Sequence, residues 1–113
     1  AQSCEIQLSV IAPGGTGQRH GHMNSALFYI LSGKGYDIHD GKRIDYEAGD
    51  VIIVENGCVH QHFNASDEED LVSLVMKAKP LFLFMHMLFQ KIAAYPPKTL
   101  PPGQEHWEPP TDL

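Results

Sequence analysis

Two pairs of histidines are the residues of this chain best suited to chemistry. His20 and His22 are separated by one residue, and so are His60 and His62. Side chains two residues apart on a β-strand point to the same face of the sheet, so each pair aims two imidazoles in one direction. If both strands line one barrel, three or four imidazoles converge. Neutral imidazole is a ligand for iron, zinc, copper and nickel, and three ligands with open coordination positions favour a reactive centre.

The elements that must position these pairs are short strands separated by turns. Alternating or β-branched apolar segments predict strands at residues 5–11, 27–31, 36–39, 43–46, 51–54, 59–63 and 71–76. Asp40-Gly41 is a strong hairpin signal, and glycine turns separate most of the other segments. Short strands at this pace predict an all-β fold, either a sandwich or a barrel.

The sequence changes character near its C-terminal end, and this divides the chain into three parts. We expect residues 1–80 to form the barrel. Residues 81–94, which follow Pro80, predict a helix packed on the barrel, although their apolar run could also form a final strand. Residues 95–113 are rich in proline and predict an extended tail, which cannot form a helix or a central strand.

Composition excludes several classes of function. The chain has 113 residues, one domain's worth, with 8 Lys and Arg against 14 Asp and Glu. A net charge of −6 argues against nucleic acid or an anionic membrane as the main partner. No segment approaches the ~20 apolar residues of a membrane span, and no signal peptide is expected. Two cysteines make no disulfide framework, which predicts a cytoplasmic setting.

The spacing around the histidines resembles the two motifs of the cupin family, G-x5-H-x-H-x3-E-x6-G and G-x5-P-x-G-x2-H-x3-N. The residues that match are Gly14, His20, His22, Gly33, Gly49, Gly57, His60 and Asn64. In cupins a small jelly-roll barrel carries a metal in its mouth. The resemblance, over roughly residues 5 to 76, therefore implies a jelly-roll β-barrel with His20, His22 and His60 as metal ligands.

Two positions depart from these motifs. Glu55 replaces the proline of the second motif, at a turn where the change should matter little. Ala26 replaces the glutamate of the first motif, which is a metal ligand in the family. Since alanine cannot bind a metal, we expect a site of three histidines with no carboxylate ligand. Such a centre suits a bidentate anionic substrate and dioxygen.

The segment HGHMNSAL at residues 20–27 is similar to the gentisate, salicylate and hydroxynaphthoate 1,2-dioxygenases within the cupins. Those enzymes also lack the glutamate and share the H-x-H-x-N pattern of His60, His62 and Asn64. In that group a three-histidine Fe(II) site binds a hydroxy acid and splits its aromatic ring with O2. The resemblance implies one divalent metal, Fe(II) first, with Zn, Ni, Mn or Cu as alternatives. It also implies that His62 lies near the substrate, where it could hydrogen-bond a substrate hydroxylate.

The expected pocket wall differs from that of these dioxygenases. They place an arginine, able to pair with the substrate carboxylate, where this chain has Phe28. Because side chains alternate between the two faces of a strand, Phe28 and Ile30 should point inward, like Ala26. Cys58 should point to the same side as His60. We expect Phe28, Ile30, Cys58 and Asn64 to line the substrate pocket. The dioxygenases are also two-cupin chains, whereas this chain is a single cupin.

Three functions follow from these observations, in decreasing order of support. The first is a mononuclear non-haem iron enzyme that uses O2 on a small aromatic or hydroxy acid. The second is a metal-dependent isomerase or lyase without redox chemistry. The third is a small-molecule-binding module.

We expect a homodimer, with Leu27, Tyr29 and Leu31 facing away from the metal. His39, next to a hairpin turn, is expected to be exposed.

Overall fold

A computed structural model describes residues 3–86 and 90–92 of the protein. Nine strands and one short helix make up this part of the chain. In order they are β1 (Glu5–Ile11), β2 (His20–His22), β3 (Ala26–Ser32), β4 (Lys34–His39), β5 (Lys42–Glu47), β6 (Val51–Val54), β7 (Val59–Asn64), β8 (Leu71–Lys77), α1 (Lys79–Phe84) and β9 (Gln90–Ile92). The predicted all-β class is confirmed, and each of the seven predicted strands is present.

Two antiparallel sheets form the barrel. One sheet has four strands in the order β1-β8-β3-β6, and the other has five in the order β5-β4-β7-β2-β9. Consecutive strands in the chain often lie in different sheets, as in a jelly roll. The second sheet carries both histidine pairs, because β2 and β7 are neighbours in it.

The core lies between the sheets and follows the alternation of the strands. Ile30, Tyr46, Ile52 and Leu71 form one buried cluster. Ala26, Val54 and Cys58 form a second, and Phe28 packs against both clusters. Inward-facing residues of β3 and β6 thus alternate with exposed ones, as a two-layer fold requires.

The outer face of the four-stranded sheet is strongly apolar. The strand register places one row of apolar side chains across all four strands, namely Leu8, Leu74, Tyr29 and Val51. A second row consists of Ile6, Met76, Leu27 and Ile53. Tyr29 and Leu31 are exposed and Leu27 is half-buried, so these residues do face away from the histidines.

The hairpin between β4 and β5 forms at the predicted turn. Asp40 and Gly41 both have positive φ, 46° and 84°, as a tight two-residue hairpin turn requires. The turn is also fixed to β7, because the Val59 amide donates to the Asp40 carboxylate and the Asp40 amide donates to the Val59 carbonyl. The hairpin is therefore anchored next to His60.

The segment after β8 differs from its predicted helix over residues 81–94. Helix α1 starts earlier, at Lys79, with Pro80 in its first turn, and it ends at Phe84 with no buried residue. Strand β9 then pairs with β2, in the register of His22 with Gln90 and His20 with Ile92. This pairing gives hydrogen-bond partners to the backbone N–H and C=O groups at the edge of β2. Because these partners are distant in the sequence, the pairing can override the helix propensity of the residues in β9.

Residues 95–113, the predicted Pro-rich tail, lie outside the described residues. Within the described part of the chain, no helix has the length and apolar character needed to cross a membrane.

Candidate metal centre and its hydrogen-bond network

The structure brings the three predicted ligand histidines together. His20 and His60 are register partners on β2 and β7, and His22 follows on the same face of β2. One ring nitrogen from each residue lies within 4.8 Å of the others. Ligands of one ion bound at about 2.1 Å lie at most about 4.2 Å apart, so small side-chain rotations would allow all three to reach it.

Each of these imidazoles is oriented by a backbone carbonyl two residues away. The Nδ1 atoms lie 2.8 Å from the Gln18 carbonyl for His20, 2.6 Å from the Asn24 carbonyl for His22, and 3.1 Å from the Cys58 carbonyl for His60. Because a carbonyl only accepts, each neutral ring donates from Nδ1 and carries its lone pair on Nε2. A metal-ligating histidine is typically held in this way. The three residues therefore fit a divalent transition metal.

Burial keeps two of these rings neutral. Burial lowers the pKa of His60 to about 4, and the side chain is 1% exposed. It also lowers the pKa of His22, with a smaller contribution from the nearby His20. Since only a neutral imidazole binds a metal, both rings are in the ligating form at neutral pH.

His62, the predicted assisting residue, lies beside this cluster. Its ring centroid is 5.1 Å from that of His60 and 4.5 Å from that of Phe28. Its Nδ1 donates to the Asp37 carboxylate at 2.8 Å. The carboxylate–imidazole pair leaves Nε2 as the ring atom available for a ligand.

The buried carboxylate of Asp37 is a feature that the sequence analysis missed. Asp37 is 1% exposed and accepts three hydrogen bonds, from His62 Nδ1, from the Tyr46 hydroxyl at 2.7 Å and from His39 Nε2 at 3.0 Å. Burial alone would raise its pKa, but these hydrogen bonds outweigh burial and hold the pKa of Asp37 below its ordinary value. Burial and the Asp37 charge together raise the pKa of Tyr46, whose hydroxyl stays protonated.

His39 is not exposed as predicted. Its side chain is 12% exposed, because it turns inward to Asp37 and packs 5.9 Å, between ring centroids, from His60. The position next to a hairpin turn was misleading, since Asp37 and His39 share a face of β4.

The predicted pocket residues separate into two groups. Phe28 contacts the His62 ring, and Cys58 lies in the cluster with Ala26 and Val54 next to β7. Ile30 is 2% exposed and belongs instead to the cluster of Tyr46, Ile52 and Leu71. Phe28 therefore contacts a histidine ring through its side chain, whereas Cys58 contacts His60 through its backbone carbonyl.

The side chain of Asn64 is hydrogen-bonded to backbone groups of other segments and not to the histidines. Its side-chain nitrogen donates to the carbonyls of Ile11, Ala12 and Glu69, and its oxygen accepts from the Ser66 amide. These bonds tie the end of β7 to two loops. They favour a structural role over the predicted role in a pocket.

Ala26, at the position of the motif's glutamate, is a core residue in the structure. Ala26 is 5% exposed and packs in the cluster with Val54 and Cys58. Within the described residues, His20, His22 and His60 are the only group of three or more potential ligands whose ligand atoms all lie within 4.8 Å of one another. The carboxylate near this group is that of Asp37, which is hydrogen-bonded to His62 and is not one of the three candidate ligands.

Comparisons with known proteins agree with this architecture. A family model described as a cupin domain matches residues 7–77. A 1-hydroxy-2-naphthoate 1,2-dioxygenase from Nocardioides sp. (strain KP7) is 28% identical over 81 residues, which cover 72% of this chain and 21% of that protein. A 5-aminosalicylate 1,2-dioxygenase from Comamonas sp. is 29% identical over 72 residues, 64% of this chain and 19% of that protein. The chain thus spans about a fifth of the curated relatives it matches.

Solved structures show the same fold. A salicylate 1,2-dioxygenase from Pseudaminobacter salicylatoxidans superposes with a TM-score of 0.78 at 18% identity, covering 88% of this chain and 29% of that one. A cupin 2 conserved barrel domain protein from Salinispora arenicola CNS-205 gives a TM-score of 0.63 at 28% identity and covers 74% and 71% of the two chains.

Proposed function

The chain belongs to the cupin family, and on that premise we propose that it is a mononuclear non-haem Fe(II) dioxygenase-like enzyme for small aromatic or hydroxy acids. The observation that carries this proposal is a cluster of one ring nitrogen each from His20, His22 and His60, all within 4.8 Å of one another, with no carboxylate in the group. A neutral ligand set leaves the full charge of a divalent ion at the centre, which favours an anionic substrate. Relatives with such substrates in their names support the same class.

In this proposal the bound Fe(II) supplies a centre at which a hydroxy acid and O2 are held next to each other. The remaining tasks fall to side chains of the barrel. Phe28 forms an apolar wall against which an aromatic ring can pack. His62 offers Nε2 to a substrate hydroxyl, from which it can accept a hydrogen bond or a proton.

Oxygen uptake after anaerobic loading with Fe(II) tests the proposal. Gentisate, salicylate and catechol-like compounds are offered in turn, and we expect metal-dependent uptake of one O2 per ring opened with at least one of them. The His60→Ala variant, loaded in the same way, is the control and should show none. Absence of metal-dependent uptake with every compound would count against a dioxygenase.

A second candidate is a metal-dependent isomerase or lyase without redox chemistry. The observation that favours it is Phe28, which stands where the dioxygenases are expected to hold a carboxylate-binding arginine. The two arginines of the chain do not replace it, since Arg19 is exposed and Arg43 pairs with Asp45. Turnover of a sugar or keto acid by the Zn- or Ni-loaded protein without O2 would favour this candidate over the first.

We also propose a homodimer formed through the outer face of the four-stranded sheet. Ile6, Leu8 and Ile53 are each about 60% exposed there and continue the apolar rows of that sheet. Such a face would be covered by the same face of a second copy. Sedimentation analysis should give a dimer for the native chain and a monomer for Leu8→Lys. The control, Lys42→Glu on the other sheet, should stay dimeric.

The cysteines support a reducing, cytoplasmic setting for this function. Cys4 and Cys58 are both free thiols. Burial raises the pKa of Cys58, which makes its thiol unreactive.

A further inference from the structure

We propose that Asp37 is a positioning residue that fixes the tautomer and ring orientation of His62. The inference deepens the proposed function. It rests on that function only for the role of His62 as an acceptor for a substrate hydroxyl. The tautomer itself, however, is a property of the metal-free protein. It can therefore be tested separately from any reaction.

The tautomer follows from counting acceptors. An ionised carboxylate can only accept hydrogen bonds, so every group bonded to Asp37 must be a donor. At Oδ1 the donors are the Tyr46 hydroxyl, at 2.7 Å, and His62 Nδ1, at 2.8 Å. At Oδ2 the donor is His39 Nε2, at 3.0 Å. His62 therefore carries its hydrogen on Nδ1 and its lone pair on Nε2, and neutral His39 has the opposite tautomer.

Ring orientation is fixed from two sides. Asp37 and His62 are register partners on β4 and β7, so the carboxylate meets the imidazole across a paired backbone. On another side the Phe28 ring lies 4.5 Å from the His62 ring, between centroids. His62 is held in one rotamer, with Nε2 as the atom that can serve the histidine cluster.

A purely structural role explains this arrangement less well. Within the described residues the partners of Asp37 are two histidines and a tyrosine, with no Lys or Arg among them. Hydrogen bonds from these three partners stabilise the ionised carboxylate, yet apolar residues could fill the same space in a barrel without any such network. Its benefit is a defined proton acceptor beside the candidate metal centre. The carboxylate–imidazole pair of catalytic triads works in the same way.

Nitrogen NMR of the metal-free protein, with 15N in its imidazoles, reads the tautomers directly. The native chain should show His62 protonated at Nδ1 and His39 protonated at Nε2. In Asp37→Ala the His62 ring loses its acceptor, and we expect it to exchange between both tautomers. Asp45→Ala, an exposed aspartate on the neighbouring strand, is the matched control and should change neither ring.

Asp37→Asn gives a sharper result, because an amide has one accepting oxygen and one donating nitrogen. Two donors, the Tyr46 hydroxyl and His62 Nδ1, point at the Oδ1 position, so the amide oxygen should occupy that position. The amide NH2 would then face His39. His62 then keeps its tautomer, while His39 inverts to accept at Nε2. This outcome also keeps the inference testable if Asp37→Ala does not fold.

Kinetics provide the link to the reaction. We expect Asp37→Ala to lower kcat by roughly 10–100-fold with little change in KM, and Asp37→Asn to recover part of the loss. The inference is wrong if His62 is protonated at Nε2 in the native chain, if folded Asp37→Ala keeps the native His62 tautomer, or if His39 does not invert in Asp37→Asn. If the tautomers behave as expected but no dioxygenase activity exists, the proposed function fails and the positioning role survives.

Discussion

His20 and His60 face each other across the β2–β7 strand pair, with ring centroids 4.4 Å apart. This contact and that between His22 and His60, with ring centroids 4.9 Å apart, join the two histidine pairs of the sequence into a single cluster. It depends on strand register, because a shift of one residue would turn every side chain of a strand to the opposite face. The candidate metal centre is therefore specified by the pairing of two short strands as much as by its ligands.

Metal content is the first property to measure. We expect one divalent ion per chain and a loss of affinity in His60→Ala larger than the roughly 10–100-fold typical of residues that only orient a ligand. Titration of the metal-free protein with Fe(II) or Zn2+ measures both. The control is His86→Asn, since His86 is exposed, lies outside the cluster and has a positive φ of 56° that asparagine tolerates. Equal affinities in the two variants would contradict the assignment.

The stability of the metal-free protein should fall as the pH is lowered from about 6.5 to about 4. The pKa of His60 is lowered by burial to about 4 in the fold, whereas the unfolded chain titrates near 6.5. Below 6.5 the unfolded state binds more protons, so the free energy of unfolding decreases, by at most about 3 kcal/mol for this shift. Urea unfolding at several pH values measures the slope.

His60→Gln should flatten that slope in the same window. Asp37 does not obscure the result, because its pKa is held below the ordinary value and its stabilisation is lost only at still lower pH. An unchanged slope in His60→Gln would show that another group dominates acid destabilisation.

The resemblance to the cupin motifs predicts the three-histidine cluster, and the residue patterns alone predict most strands. The H-x-H spacing places His20 and His22 on one face of a strand by geometry alone. The Asp40-Gly41 turn is equally local, because its conformation follows from two residues that tolerate positive φ.

The Asp37 network could not be predicted in this way. In β4 the alternation of Tyr36, Asp37 and Ile38 would place the aspartate outward by polarity. In the fold it points inward, while Tyr36 stacks on Phe63 and meets the Arg43 guanidinium. Only partners distant in sequence, His62 and Tyr46, make an inward carboxylate acceptable. Strand β9 lies within the segment for which a final strand was the alternative to a helix. The sequence could not decide between the two, because the partner strand β2 is about 70 residues away.

Gly35→Ala should destabilise the barrel next to the Asp37 network. A Cβ atom at this position would lie 2.6 Å from the Phe63 carbonyl oxygen and 2.8 Å from the Tyr46 ring. Because the first of these neighbours is backbone, it cannot move aside, and we expect a loss of about 1–3 kcal/mol in the free energy of unfolding. Gly17→Ala, whose Cβ would have only ordinary contacts at 3.8 Å, should stay within about 0.5 kcal/mol of the native chain.

Asn64→Ala separates a structural role from a role in the substrate pocket. Its amide makes four hydrogen bonds to backbone groups, including those of Ile11 and Glu69. At about 1 kcal/mol for each such bond, the variant should lose about 2–4 kcal/mol in urea unfolding. Because none of these bonds reaches a histidine, the folded fraction should bind metal with native affinity and keep the native KM. A raised KM without loss of stability would instead place Asn64 against the substrate and would return it to the pocket that its motif first suggested.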